Sequence, residues 1–313
     1  MANIKEIKER INSISDTKKI TNAMYLISST KLRKARKLLG DTEPFFYATK
    51  DMIERLVTNL PEGVKNVFLE SKEEIPEEKK RRGYIVFTDD KGLAGSYNHN
   101  VIRAVEERLL EDKGNYKLYV IGEVGRYHFI SRNMPVDQFF MFTSANPTLH
   151  RARKISAEIV NDYQERTIDE FYICYTAMKG GTCETRFEKL LPLDFITQLH
   201  KETMEDQSFY RDEFLMEPSP SAILDNIVPN YITGFIYGAL VEAFCSVQHS
   251  RMQAMDSANK NAEMMMESLK RSYNRQRQAM ITQEITEVVS GAKALKRSKE
   301  AKMKAMKRQE VKR

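Results

Sequence analysis

The sequence predicts an α/β protein in which a long antiparallel coiled coil of N- and C-terminal helices carries an inserted Rossmann-like α/β domain. Three observations predict it. Ile4, Ile7, Ile11 and Ile14 step by three and four, as the a/d seam of a helix seeking a partner helix does. From Asn230 to Leu295 there is no proline, and Gly234, Gly238 and Gly291 are the only glycines, so one continuous helix is expected there. Between these ends, short β-branched and aromatic runs alternate with helical periods, the pattern of parallel strands joined by crossover helices.

In the first helix the register continues through Lys18, Thr21, Tyr25, Ser28, Leu32, Ala35 and Leu39, so polar and small residues enter the seam. Asp41 to Pro44 is expected to end that helix, and Asp51 to Leu60 to form a shorter piece stopped by Pro61. The charged segment between Lys65 and Lys80, with Pro76, reads as a linker. Tyr84–Thr88 and Lys117–Ile121 are strand patterns, and Gln138–Phe142 is strand-like. Asn100–Leu110, Val124–Arg132 and Pro147–Gln164 are helical. Phe171–Met178 and Thr185–Leu191 flank Gly180 and Gly181 as a hairpin. Ser219 is placed to cap a helix whose first residue is Pro220, with Pro229 expected to break it before the long final helix. Its stripe is Ile236, Leu240, Ala243, Val247, Ala254, Ala258, Ala262, Met265 and Leu269. The expected organisation is a coiled-coil helix over 1–60, a linker over 61–80 and an α/β domain over 81–198. A second linker over 199–218, a coiled-coil helix over 219–295 and a basic tail over 296–313 follow.

Charge divides sharply along the chain. The net charge is +6 over 313 residues. Residues 1–40 hold ten Lys/Arg against three acids, and residues 296–313 hold nine against two. Each end is therefore +7 and the middle −8, which suits an anionic partner of some kind. With 41% hydrophobic and 30% charged residues, much of the chain is expected to be exposed helix. No run of 18 uncharged apolar residues occurs, and the basic start lacks the apolar core of a secretory signal, so a soluble cytoplasmic protein with reduced thiols is expected. Cys174, Cys183 and Cys245 have no C-x-x-C spacing, and the five histidines show no metal-binding pairing.

The loop Asp89-Asp90-Lys91-Gly92-Leu93-Ala94-Gly95 sits between a strand and a helix, where phosphate loops sit, but it has neither G-x-G-x-x-G nor G-x-x-x-x-G-K-[ST]. A tight turn is expected rather than a nucleotide site. No G-x-S-x-G elbow marks a nucleophile, so neither catalysis nor a cofactor is expected. The methionines of the last helix read as soft packing that repacks cheaply against changing surfaces. The basic clusters Lys31–Lys37 and Lys296–Arg313 contain no aromatic residues for base stacking, which weighs against a basic coiled-coil nucleic-acid binder, the alternative reading.

Three stretches resemble the gamma subunit family of F-type ATP synthases: Ile11–Arg36 (INSISDTKKITNAMYLISSTKLRKAR), Asp90–Asn98 (DKGLAGSYN) and Tyr273–Leu295 (YNRQRQAMITQEITEVVSGAKAL). Glu217–Pro229 and Arg251–Asp256 are similar too. The resemblance implies a rotating central shaft that couples ion-driven turning of a membrane c-ring to conformational change at catalytic sites on beta subunits. It implies alpha, beta, epsilon and delta subunits and the c-ring as partners, no nucleic acid, and indirect membrane association on the cytoplasmic side of the cell membrane. It further implies that Arg277 and Gln278 hydrogen-bond a beta-subunit loop, with Thr282 and Glu284 as polar neighbours. Met24 corresponds to a methionine near the moving part of beta, and Arg251 to a coupling arginine. Val288, Val289 and Leu295 belong to an apolar tip turning in a sleeve, and Asp90, Lys91, Gly92, Leu93 and Gly95 to a loop of the foot. Tyr25 stands where the family often has lysine, no paired-cysteine insert is present, and residues 296–313 extend past the family's usual end.

Overall fold

A computed structural model describes residues 4–60, 64, 66–68, 75–112, 115–179, 182–193 and 216–310. The hairpin turn expected at Gly180 and Gly181, the stop at Pro61 and most of the 199–218 linker lie outside the described residues. The chain forms two compact units, one of residues 1–23 with 256–313, the other of residues 24–255.

The first unit pairs the two chain ends antiparallel. Lys18 Nζ meets Glu263 Oε1 at 2.5 Å, and Thr21 Oγ1 donates to Asn259 Oδ1 at 2.5 Å, so rising numbers on one helix face falling numbers on the other. These are the polar seam positions that the heptad register anticipated, and Ile7 and Ala262 are the buried apolar ones.

The helix α1 spans Ile4–Thr58 without interruption, with Pro44 inside it. The expected end at Asp41–Pro44 and the separate piece from Asp51 are therefore corrected. Pro44 removes the hydrogen bond to the carbonyl of Gly40, but both positions are exposed, so water can take that carbonyl. Packing supplies the rest: Phe46 stacks on Tyr231 with centroids 5.2 Å apart, and Ile53 and Val57 are buried.

The sheet lies in the second unit. Strands β1 (Arg81–Phe87), β2 (Asn115–Ile121), β3 (Glu170–Lys179) and β4 (Thr182–Leu191) stand in the order β2-β1-β3-β4. The first three are parallel, and β4 returns antiparallel beside β3. Helices α2 (Tyr97–Glu111), α3 (Glu123–Ser131) and α4 (Leu149–Gln164) make the crossovers. Alternation along the strands separates two cores. Tyr84, Val86, Leu118, Val120 and Cys174 pack with α2 and with Phe129 of α3. Ile85, Phe87, Tyr119, Ile121, Phe171 and Ile173 pack with α4 and the long helices.

Gln138–Phe142 is not a strand. Phe142 makes a single parallel bridge to Ile121, while the Asp137 carboxylate accepts the N–H groups of Phe139 and Phe140 at 2.8 and 2.9 Å and turns the chain into a loop.

The last helix, α5, spans Pro220–Glu310. Ser219 Oγ accepts the Ala222 N–H at 3.2 Å, the expected cap. The expected break at Pro229 is absent. The carbonyl it orphans, on Asp225, is exposed, and Ser156 Oγ and Thr233 Oγ1 both donate to the Pro229 carbonyl, at 3.3 and 2.8 Å. A stretch of α5 is long and apolar enough to cross a membrane, yet 61% of it is buried within this chain, as in a core helix.

Candidate interaction surfaces and the loop after strand β1

The loop after β1 is built around two adjacent carboxylates with opposite surroundings. Asp90 accepts the backbone N–H groups of Ser144 and Ala145 at 3.1 and 3.0 Å and the Thr143 hydroxyl, and so pins the segment that leads to α4. Burial would raise its pKa, but these donors together hold it below the usual carboxylate value. Asp89 is raised: burial dominates, and the guanidinium of Arg251, which pairs with it directly, only partly offsets that. Arg251 also reaches the carbonyl of Gly92 at 3.4 Å. Lys91, Gly92 and Leu93 are exposed at the tip, and Leu93 and Gly95 have φ of 63° and 59°.

This loop stands at the C-terminal ends of the parallel strands, beside the point where the strand order reverses, where open α/β sheets receive ligands. Here an arginine from α5 fills that place. The arrangement ties the sheet to α5. Among the described residues, no three His, Cys, Asp or Glu side chains gather as a metal site requires.

Helix α5 supplies the second surface. Arg277, Gln278, Thr282 and Glu284 are all exposed. So are the apolar Ile281, Ile285, Val288, Val289 and Leu295, with Val288 at 72% and Leu295 at 67%. All of these side chains stand exposed among the described residues. Met24, on α1, is half-buried, with Leu26 and Ile27 exposed beside it in sequence. Arg251 stands apart from the exposed set: its side chain is 12% exposed and engaged within the chain.

Sequence reasoning missed a third surface. On the α/β domain Tyr127, Met141 and Phe139 are exposed, the last at 94%. Arg126 holds the loop against α3 by donating to the carbonyls of Phe140 and Gln138 at 2.8 and 2.9 Å. Exposed apolar side chains on an ordered loop are candidates for contact. The strand-like apolar run Gln138–Phe142 was its one signal, and it points to a core instead.

Comparison with known proteins supplies a lineage. A family model described as ATP synthase matches residues 3–295. The chain is 41% identical over 293 residues to the ATP synthase gamma chain of Caldanaerobacter subterraneus subsp. tengcongensis, covering 92% of this chain and 98% of that one. It is 42% identical over 294 residues to that of Ruminiclostridium cellulolyticum, covering 94% and 99%. With the sodium ion specific gamma chain of Acetobacterium woodii the identity is 38% over 305 residues, covering 94% and 99%. In shape it is similar to a chain of the Euglena gracilis mitochondrial ATP synthase, with a TM-score of 0.66 at 15% identity over 93% of this chain and 94% of that one.

Proposed function

Because this chain belongs to the family of ATP synthase gamma chains, we propose that it is the central shaft of a rotary ATP synthase, transmitting torque between a membrane ring of c subunits and catalytic sites carried by other subunits. The observation that carries this reading is the exposed run from Arg277 to Leu295. A helix keeps that many apolar side chains in water only if a partner covers them, and a sleeve of alpha and beta subunits is a partner of the right kind.

The division of labour follows from the two units. In the first, antiparallel helices with a mixed seam give a stiff rod held by Lys18–Glu263 and Thr21–Asn259. Their outer faces differ all round, and that asymmetry lets one rod present different side chains to three surrounding beta subunits. In the second unit, the sheet is stapled to α5 through Asp89 and Arg251, so force applied to the α/β domain passes into the shaft helix through an ion pair as well as through the core. The exposed Phe139, Met141 and Tyr127 suit the ring and the epsilon subunit that drive this end.

On this reading Arg277 and Gln278 hydrogen-bond a loop of beta, Thr282 and Glu284 support them, and Val288, Val289 and Leu295 turn in the sleeve. Met24 contributes at the moving part of beta. Arg251 contributes to coupling from inside the chain, through Asp89. The chain itself carries no catalytic residue and no cofactor; the catalytic sites lie on the beta subunits. The complex lies on the cytoplasmic side of the cell membrane, and this chain is peripheral to it. A nucleic-acid role lacks support, since neither basic cluster, Lys31–Lys37 or Lys296–Arg313, carries an aromatic residue to stack on a base.

The test is to tag the chain in its own cells, extract membranes gently, and determine the mass and ATPase activity of what co-purifies. One copy of this chain with three alpha and three beta subunits is expected. A lone chain without ATPase activity overturns the reading.

A further inference from the structure

The family match ends at Leu295, but α5 does not: it continues to Glu310. The relatives named above are matched over 98 to 99% of their own length while 6 to 8% of this chain is left over, so the continuation is an addition to the shared body. Residues 296–313 hold nine Lys/Arg and two acids. Lys296, Arg297 and Lys299 are exposed.

At ~3.6 residues per turn the cations from Lys296 to Arg308 spread round most of the helix, leaving one uncharged stripe at Ser298, Ala301 and Ala305. That pattern discriminates among anionic partners. A helix that lies on a lipid surface needs an apolar face opposite its charges, and here the bulky apolar residues Met303 and Met306 fall among the lysines instead. Single-stranded nucleic acid is met with stacking rings, and there are none. What suits charge on nearly all sides is an acidic protein surface that surrounds the helix.

We propose that residues 296–310 dock against an acidic collar on the stationary subunits around the shaft tip, and that this contact acts as a salt-sensitive drag on rotation. The proposal rests on the shaft reading. It also explains the distribution of charge: a turning tip meets each stationary subunit in succession, so cations on one face would grip in one orientation only, whereas cations on most faces grip at every step. From Leu295 to Glu310 the helix rises about 22 Å, several Debye lengths at physiological salt, so the cations near its end act outside the field of the sleeve tip itself.

The test uses the assembled ATPase complex in three forms: with the full chain, with the chain ended after Leu295, and with K299Q, K302Q, K304Q and K307Q together in an otherwise full-length chain. A zero-length carbodiimide reagent should join tail lysines to Asp or Glu of the stationary subunits in the first form, far less in the glutamine form, which keeps only Lys296 and Lys312, and not at all in the shortened one. The ATPase rate of the first form should rise about twofold more between about 0.02 and 0.3 M salt than that of the other two. Absence of tail crosslinks where other crosslinks form, or one salt response common to all three, overturns the proposal, as does nucleic acid bound through the tail. Should truncation prevent assembly, the glutamine form, which keeps the full length, decides. Failure of alpha and beta to co-purify with the unaltered chain would instead overturn the shaft reading.

Discussion

Arg251, on α5, sets its guanidinium against the Asp89 carboxylate at the end of β1, with the two side chains 12% and 11% exposed. A pair so withdrawn from water costs much to form and more to break, because removal of one partner leaves the other charged and dry. Arg251→Ala should therefore destabilise the second unit by about 3 kcal/mol. Asp89 is already raised by burial, and loss of Arg251 raises it further. For an acid whose folded pKa is raised, stability falls as pH rises from the unfolded value through the folded one. The gap between Arg251→Ala and the unaltered chain should accordingly widen as pH rises above about 4. Adding Asp89→Asn should recover part of the loss. Denaturation monitored by circular dichroism across pH measures all three, and a double variant as unstable as the sum of the singles would show that the pair is not coupled.

At the opposite end of the sheet, Glu170 is 4% exposed and gathers Arg82, Lys80 and Lys189 at 3.1, 3.3 and 3.3 Å. Burial would raise its pKa, yet Lys189, Arg82 and Lys80 together hold it below 4.5. An acid depressed in the fold stabilises above its unfolded value, and that stabilisation is lost as pH falls through the folded one. The unaltered protein should lose stability on acidification below about pH 4.5, and Glu170→Gln should flatten that loss while costing about 3 kcal/mol at neutral pH. An unchanged acid limb in the variant would assign the transition to other groups.

Two glycines predict opposite signs. Gly122 has φ of 94°, and a Cβ there would stand 2.3 Å from the Thr88 carbonyl oxygen, so Gly122→Ala combines backbone strain with a clash against main chain. A loss of about 3 kcal/mol is expected. Gly291 lies in an exposed turn of α5 with nothing within 4 Å of a Cβ. Gly291→Ala should stabilise that part of the helix by about 0.5 to 1 kcal/mol. Urea melts of both variants, read by helical signal, check the pair of signs.

The parts of this molecule legible in the sequence were those set by local period. The seam through Lys18 and Thr21, the Ser219 cap and strands β1 to β4 all came from spacing alone. The errors share a cause. Pro44 and Pro229 are helix breakers by local chemistry, and what keeps them inside helices is distant: the Phe46–Tyr231 stack for the first, and the burial of Leu224, Val228 and Ile232 in the core around the second. Gln138–Phe142 has strand residues, but Asp137 captures two of its amides. The Asp89–Arg251 pair joins residues 162 apart, and no pattern along the chain announces it. Family motifs placed Arg277 to Leu295 on the helix, and only the fold shows that they stand exposed on it.

That exposure separates function from folding at the tip. Arg277 and Val288 lie in a stretch of α5 that is exposed throughout, so Arg277→Ala and Val288→Asp should each change the stability of the isolated chain by less than about 0.5 kcal/mol. Their effect should appear only in the complex. If the Arg277 guanidinium makes a charge-assisted hydrogen bond to a beta-subunit loop, its loss removes about 1.5 kcal/mol from one rotational state, which corresponds to roughly tenfold in the rate of a step that passes through it. Val288→Asp places a charge where an apolar sleeve is proposed, and the expected result is weaker assembly at unchanged chain stability. ATPase rate and complex yield, measured beside the melting of the isolated chain, keep the two effects apart. Normal ATPase activity and normal assembly in both variants would mean that the apolar tip turns without touching its surroundings, and that torque passes entirely through residues nearer the sheet.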